Sequence, residues 1–186
     1  PGRPDNQGDG TPNRTGANTH TGGTLVSDGT LVGSSASIAG DVTNNAQLVF
    51  DQATTGTFAN TISGSGRLTK QGAGTLTLMG ANTYTGGTLI FDGTLVGSSA
   101  SIAGDVTNNA QLVFDQATAG TFAKTISGSG RLTKQGNGTL TLTGANTHTG
   151  GTEIAAGTLS VSSDANLGAS SGRLEFAGGT LRTTAS

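Results

Sequence analysis

The feature that most constrains this chain is an internal repeat. GANTHTGGT begins at Gly16, GANTYTGGT at Gly80 and GANTHTGGT at Gly144, so the two intervals are equal. Residues 16–79 and 80–143 differ at seven positions and agree at the other 57. The differences are His20/Tyr84, Val26/Ile90, Ser27/Phe91, Thr55/Ala119, Asn60/Lys124, Ala73/Asn137 and Met79/Thr143. A third copy, 144–186, keeps the opening motif and Gly157-Thr158-Leu159, then diverges. A chain that repeats itself this closely is built by stacking like units, and the fold must be one that stacking closes. Residues 1–15 hold all three prolines and no large apolar side chain, so they read as a leader or linker ahead of the array at 16–186. A start at Pro1 is the start expected of a processed or excised piece.

The repeat at 16–79 is longer than one supersecondary unit, and a subperiod is visible within it. One apolar anchor per strand-like run gives Val26, Leu48, Leu68, Ile90, Leu112, Leu132, Ile154 and Leu174, in steps of twenty or twenty-two. Between them lie GTLV, QLVF, GRLT and GTLTL, punctuated by Gly, Asn and Asp turn signals. A meander of hairpins turns every 8–12 residues and gives no such register. A solenoid does, with each turn laying its strands on the turn below at ~4.8 Å. The expectation is a parallel β-helix of about eight turns, Leu48 above Val26 and Leu68 above Leu48, in a rod of roughly 34 Å. Composition agrees. Gly and Thr number 33 each, and both are poor helix formers. Leu, Ile, Val and Phe make up only 36 of 186 residues, enough for a thin core.

The third copy separates inside from outside. Position 25/89/153 carries Leu, Leu and Glu, whereas 26/90/154 carries Val, Ile and Ile. A carboxylate is almost never fully buried without a partner, so 26/90/154 faces the core and 25/89/153 faces water. Alternation then turns Leu48 with Phe50, and Leu112 with Phe114, inward.

Chemistry is scarce. His20 and His148 are the only histidines, and Tyr84 takes their place in the middle copy, so the position reads as a packed corner ring, not as a catalytic or metal-binding imidazole. Asp28 and Asp92 each precede Gly, which is turn chemistry, and Asp51 and Asp115 end strands. With Asp41 and Asp105 they supply carboxylates, but a glycosidase also wants aromatic platforms, and Trp is absent and Tyr single. Gly64-Ser65-Gly66 and Gly72-Ala73-Gly74 open no helix and lack the Lys-Ser/Thr of a phosphate loop. No calcium-loop pattern occurs. Sequons stand at Asn13 and Asn137. Thr75-Leu76-Thr77 recurs at Thr139-Leu140-Thr141, one turn in three, too seldom for an ice-binding ladder. With a net charge of −2, nine scattered Lys and Arg and no Cys, the chain has no nucleic-acid stripe, thiolate metal site or disulfide. No catalytic, metal or cofactor residue is assigned.

The string L-T-K-x-G-x-G-T-L-T-L-x-G-A-N-T-Y-T-G-G-T within Gly66–Leu95 resembles the passenger-associated transport repeat of Gram-negative autotransporters. It recurs at Gly130–Leu159, its second half recurs at Gly16–Leu31, and Ser163–Ser186 is similar to the stretch that often follows such a repeat. At Leu89 that family more often has Thr. The resemblance implies a right-handed, three-sided β-helical passenger on the bacterial cell surface or outside it. The parent chain would also carry an outer-membrane β-barrel. It implies an adhesive or structural stalk whose partners are host-surface or matrix molecules, or the same protein on another cell. A segment that chiefly drives secretion by folding outside the cell is the alternative, and a carbohydrate-active β-helix enzyme is a second.

Overall fold

In the computed structural model the described residues are Asp5, Asn6, Thr11 and 22–184. They form 21 parallel strands and one helical element, the three-residue 3-10 turn Asp164–Asn166. The strands are short because Gly, Asn and Asp interrupt the β-branched and leucine-rich runs every few residues, and each interruption turns a corner. Gly64 and Gly128 show why Gly is needed there. Both adopt left-handed φ angles, 102° and 99°, and a Cβ at either would run into the carbonyl of Asn44 or Asn108 in the turn below.

Strands are numbered along the chain. On the first face β1 (Asp5–Asn6), β2 (Thr24–Val26), β4 (Val42–Asn44) and β7 (Ile62–Ser63) stack in that order. Residues 83–85 continue it, Thr83 N–H donating to the Ile62 carbonyl at 2.9 Å and Thr85 N–H to the Gly64 carbonyl at 3.0 Å. The arc 98–103 follows, reached through Asn82 N–H donating to the Ala100 carbonyl at 3.1 Å. Then come β14 (Gly120–Phe122), β17 (Thr139–Leu142), β19 (Thr158–Val161) and β21 (Thr180–Thr183). The second face runs β3 (Thr30–Gly33), β5 (Gln47–Asp51), β8 (Arg67–Gln71), β10 (Thr88–Ile90), β12 (Val106–Asn108), β15 (Ile126–Ser127). The third runs β6 (Gly56–Phe58), β9 (Thr75–Leu78), β11 (Thr94–Gly97), β13 (Gln111–Asp115), β16 (Arg131–Gln135), β18 (Thr152–Ile154), β20 (Leu174–Phe176). This is the expected three-sided parallel solenoid of about eight turns.

The columns correct one expectation. Leu68 does sit on Leu48, and Leu132 on Leu112. Leu48, however, lies on Leu31, and the residue above Val26 is Asn44. Likewise Leu112 lies on Leu95, and the residue below Ile90 is Lys70. The register step along a face is shortest from Leu31 to Leu48 and from Leu95 to Leu112, and longer elsewhere, as from Leu159 to Leu181. The anchors read from the sequence therefore cross from one face to the next at Val26–Leu48 and again at Ile90–Leu112.

That crossing recurs with every copy of the repeat. β2 is on the first face, its counterpart β10 on the second, and β18 on the third; β3, β11 and β19 occupy faces two, three and one. The copy at 80–143 contributes ten segments to three faces: eight strands, the GANT stretch and the serine arc at 98–103. Ten segments over three faces are three and a third turns. Successive copies are thus related by a third of a revolution and a rise of ~16 Å.

The core is one cluster along the axis, with Val26, Leu48, Phe50, Leu68, Ile90, Leu112, Phe114 and Ile154 all fully buried. Phe50 packs on Phe58, and Phe114 on Phe122, at centroid distances of 5.1 and 5.0 Å. Leu25, Leu89 and Glu153 point outward and are half-buried. Glu153 accepts from the Thr133 hydroxyl at 3.0 Å and lies 3.2 Å from the Arg131 guanidinium. Leu89 has Thr69 below it, as Glu153 has Thr133. Leu89→Glu is expected to shift the urea midpoint by no more than a surface change does, about 0.5 kcal/mol. A loss of several kcal/mol would place position 89 inside.

Candidate functional site

The repeated GANT(H/Y)TGG motif, the first candidate, closes a corner. Asn82 accepts the Ile62 N–H at 2.8 Å and donates to the Ser101 carbonyl at 2.6 Å, tying the turn below to the turn above. Asn146 does the same between Ile126 N–H (2.8 Å) and the Asn166 carbonyl (2.6 Å). Such an Asn fills backbone valences where the chain leaves strand geometry, and its neighbours could not be paired without it.

Beside it the ring is buried, as a packed corner ring should be. The Thr88 hydroxyl donates to the Ala103 carbonyl at 3.0 Å, so the Tyr84 phenol donates its proton to Thr88 Oγ1, 2.7 Å away. Ala103 N–H donates to the phenol oxygen at 3.4 Å. Burial pushes the phenol up to about 12, partly offset by the Thr88 hydrogen bond. In the third copy His148 Nε2 lies 2.9 Å from Thr152 Oγ1, which donates to the Leu167 carbonyl at 2.8 Å. His148 Nδ1 is buried with no hydrogen-bond partner. His20 lies outside the described residues.

Desolvation holds the His148 imidazole below its ordinary 6.5. A group whose folded value is lowered contributes fully above its unfolded value, and that contribution is lost as pH falls toward the folded value. The corner should therefore weaken below about pH 6.5. Copying the middle copy's pair with His148→Tyr and Leu167→Ala should leave a phenol that stays neutral there. Denaturation midpoints from pH 7 to 5 are expected to fall more steeply in the parent than in this double variant. Parallel curves would refute the assignment to His148.

Lys70 and Lys134 do not stand out as candidates in the sequence, yet both are fully buried. Lys70 Nζ donates to the carbonyls of Gln71 (2.9 Å), Gly72 (2.6 Å) and Asp92 (3.1 Å). Lys134 Nζ repeats this with Gln135, Gly136 and Ala156 at 2.8, 2.8 and 3.1 Å. Burial lowers both ammonium groups from their ordinary value, opposed at Lys70 by Asp92 and Asp51 and at Lys134 by Asp115. Each is a corner staple with all three protons committed. The available signal is strand alternation: Leu68 in, Thr69 out, Lys70 in.

The carboxylates are spent locally. Asp28 and Asp92 accept the N–H of the next residue, Gly29 or Gly93, both at 2.7 Å. Asp41 and Asp105 accept Thr61 and Thr125 N–H from the adjoining turn at 2.8 and 2.9 Å, bonds that pull both carboxyls below their usual range. Asp51 and Asp115 end β5 and β13, exposed. Among the described residues no three acidic or histidine side chains converge on a point that could hold a metal ion. The outward row of the third face reads Thr57, Thr77, Val96, Val113, Thr133, Glu153, so no threonine ladder persists. Asn137 is exposed in a turn, and Asn13 lies outside the described residues.

In the middle copy a shallow depression lies next to the motif. It has 350 Å³ between Thr83, Thr85, Gly104, Thr121 and Lys124 on the first face. A separate 210 Å³ depression lies at Asp164, Leu167, Gly168, Arg173 and Leu174.

A family model, the passenger-associated transport repeat, matches residues 7–32, 68–96 and 132–161. Among curated proteins, the adhesin BmaC autotransporter of Brucella suis biovar 1 (strain 1330) is 51% identical over 65 residues, covering 35% of this chain and 2% of that protein. No solved structure matches. The repeat matches fall on β8–β11 and β16–β19, the rungs that carry the lysine staple and the GANT corner. The chain is a stretch of autotransporter passenger, exposed outside the cell and built on passenger-associated transport repeats.

Proposed function

We propose that this stretch is a non-enzymatic stalk whose repeated outer surface is adhesive, binding host-surface or matrix molecules or the same protein on another cell. The observation that carries the reading is the fate of the polar groups. The buried Lys70, Lys134, Tyr84 and His148 are committed to closing corners, and Asp41 and Asp105 to bridging adjoining turns. What remains outward is nearly the same surface in the two long copies, with threonine recurrent along it, which suits many weak contacts better than one catalytic site. The similarity to an adhesin autotransporter supports the same reading.

Deleting 80–143 joins Met79 to Gly144 and leaves every new neighbour a counterpart of the old one. The shortened passenger should fold and reach the cell surface at the parental level, while cell aggregation or host-cell binding drops several-fold. The competing reading, a segment that mainly drives secretion by folding outside the cell, predicts the reverse: less protein at the surface, unchanged binding per molecule. Hydrolysis of a polysaccharide or ester by the purified chain, abolished by one Asp or His substitution, would overturn both.

A further inference from the structure

A repeat of three whole turns would place every copy's outer surface on the same side of the rod, as a ladder facing one way. The observed strand order excludes that. The outward residue of β6, Thr57, lies on the third face, and its counterpart Thr121 in β14 lies on the first. Leu25, Leu89 and Glu153 occupy faces one, two and three.

We infer that the array is a multivalent rod with no preferred side, in which each copy of the repeat turns its equivalent outer surface a third of a revolution from the last. The partner it fits is a set of separate molecules, each docked on one copy and approaching from three directions. A single flat surface can be gripped only by every third copy. This rests on the adhesive reading for its biological use, but the geometry is independent of it. Avidity requires that several sites reach the partner at once, and a site turned away from a plane adds nothing to holding it. Added copies therefore raise the number of partners bound evenly, and raise the grip on a flat surface in steps.

The chain has no native cysteine, which makes the test direct. Thr57→Cys and Thr121→Cys are exposed, equivalent sites. Spin labels on the double variant should lie clearly farther apart than the ~16 Å rise alone, about 25–30 Å once the turn to another face is included. A separation equal to the rise alone would overturn the inference, whatever the chain binds. For valency, the same cysteine in each long copy is coupled to biotin through a short linker, in chains of two, three and four long copies. In solution, bound streptavidin should rise by one per copy. On a flat streptavidin film, release should be nearly unchanged from two copies to three and several-fold slower at four, where the first and fourth share a face. Equal slowing at each added copy would overturn the proposal. Loss of natural adhesion with these results intact would overturn only the adhesive reading.

Discussion

Leu112→Asp is expected to unfold the rungs around it and to cost about 5 kcal/mol or more, from a lost buried side chain together with an unpaired buried charge. Leu112 is fully buried, stacked between Leu95 below and Leu132 above in an all-leucine column. No cation stands in that column. At Ile90 the same substitution would be muddied, because the next residue down is Lys70. A solenoid's turns are stabilised by their neighbours, so a charge at Leu112 also severs the turns at 75–97 from those beyond 131. Urea denaturation followed by circular dichroism should show a large drop in midpoint, whereas Leu112→Met should shift it by less than about 1.5 kcal/mol. A mild effect of Leu112→Asp would mean that the axis of the rod admits water.

The second large effect is expected at the lysine staples. Lys70→Met keeps the aliphatic stem and removes the ammonium, leaving the carbonyls of Gln71, Gly72 and Asp92 without their shared donor. An orphaned buried acceptor costs about 1–3 kcal/mol, so a loss of about 3 kcal/mol or more is expected. Lys134→Met should cost the same, since the three carbonyls around it are the counterparts of those at Lys70. The two sites lie three and a third turns apart, and their effects should add in the double variant. Losses under about 1 kcal/mol apiece would show that water replaces the ammonium without penalty.

Those two sites mark where sequence reading succeeds and where it stops. Position 26/90/154 is legible as core because a single Glu153 beside Ile154 breaks the degeneracy of two apolar neighbours. The alternation then carries inward to Leu48, Phe50, Leu112 and Phe114, all fully buried. Lys70 obeys the same alternation, but a lysine is assumed to seek water. Only the three carbonyls, which come from two adjoining turns, explain its place. The face-to-face rotation is hidden for a different reason. Spacing along a chain is one-dimensional, and a nearly constant step between like strands fits a turn whether or not the next strand lies on the same face. The link from β8 to β10 has to be seen, because the GANT stretch takes a place on a face without being a strand. Asn82 and Tyr84 are legible as a corner, but not as the bridge that ties two turns together.

The direction of the inter-turn hydrogen bonds has a mechanical consequence. Every one of the parallel pairings, Leu48 with Leu68 or Leu112 with Leu132 for instance, points along the rod's length and not across it. A tether pulled from its ends loads these bonds one rung at a time, like a zip, instead of shearing whole strands past each other. Each rung that opens replaces ~4.8 Å of rod with about 20 residues of extended chain, roughly 65–70 Å. A cell held by such a tether under drag would lengthen its anchor in small yielding steps, shedding force before the bond at the far end gives way.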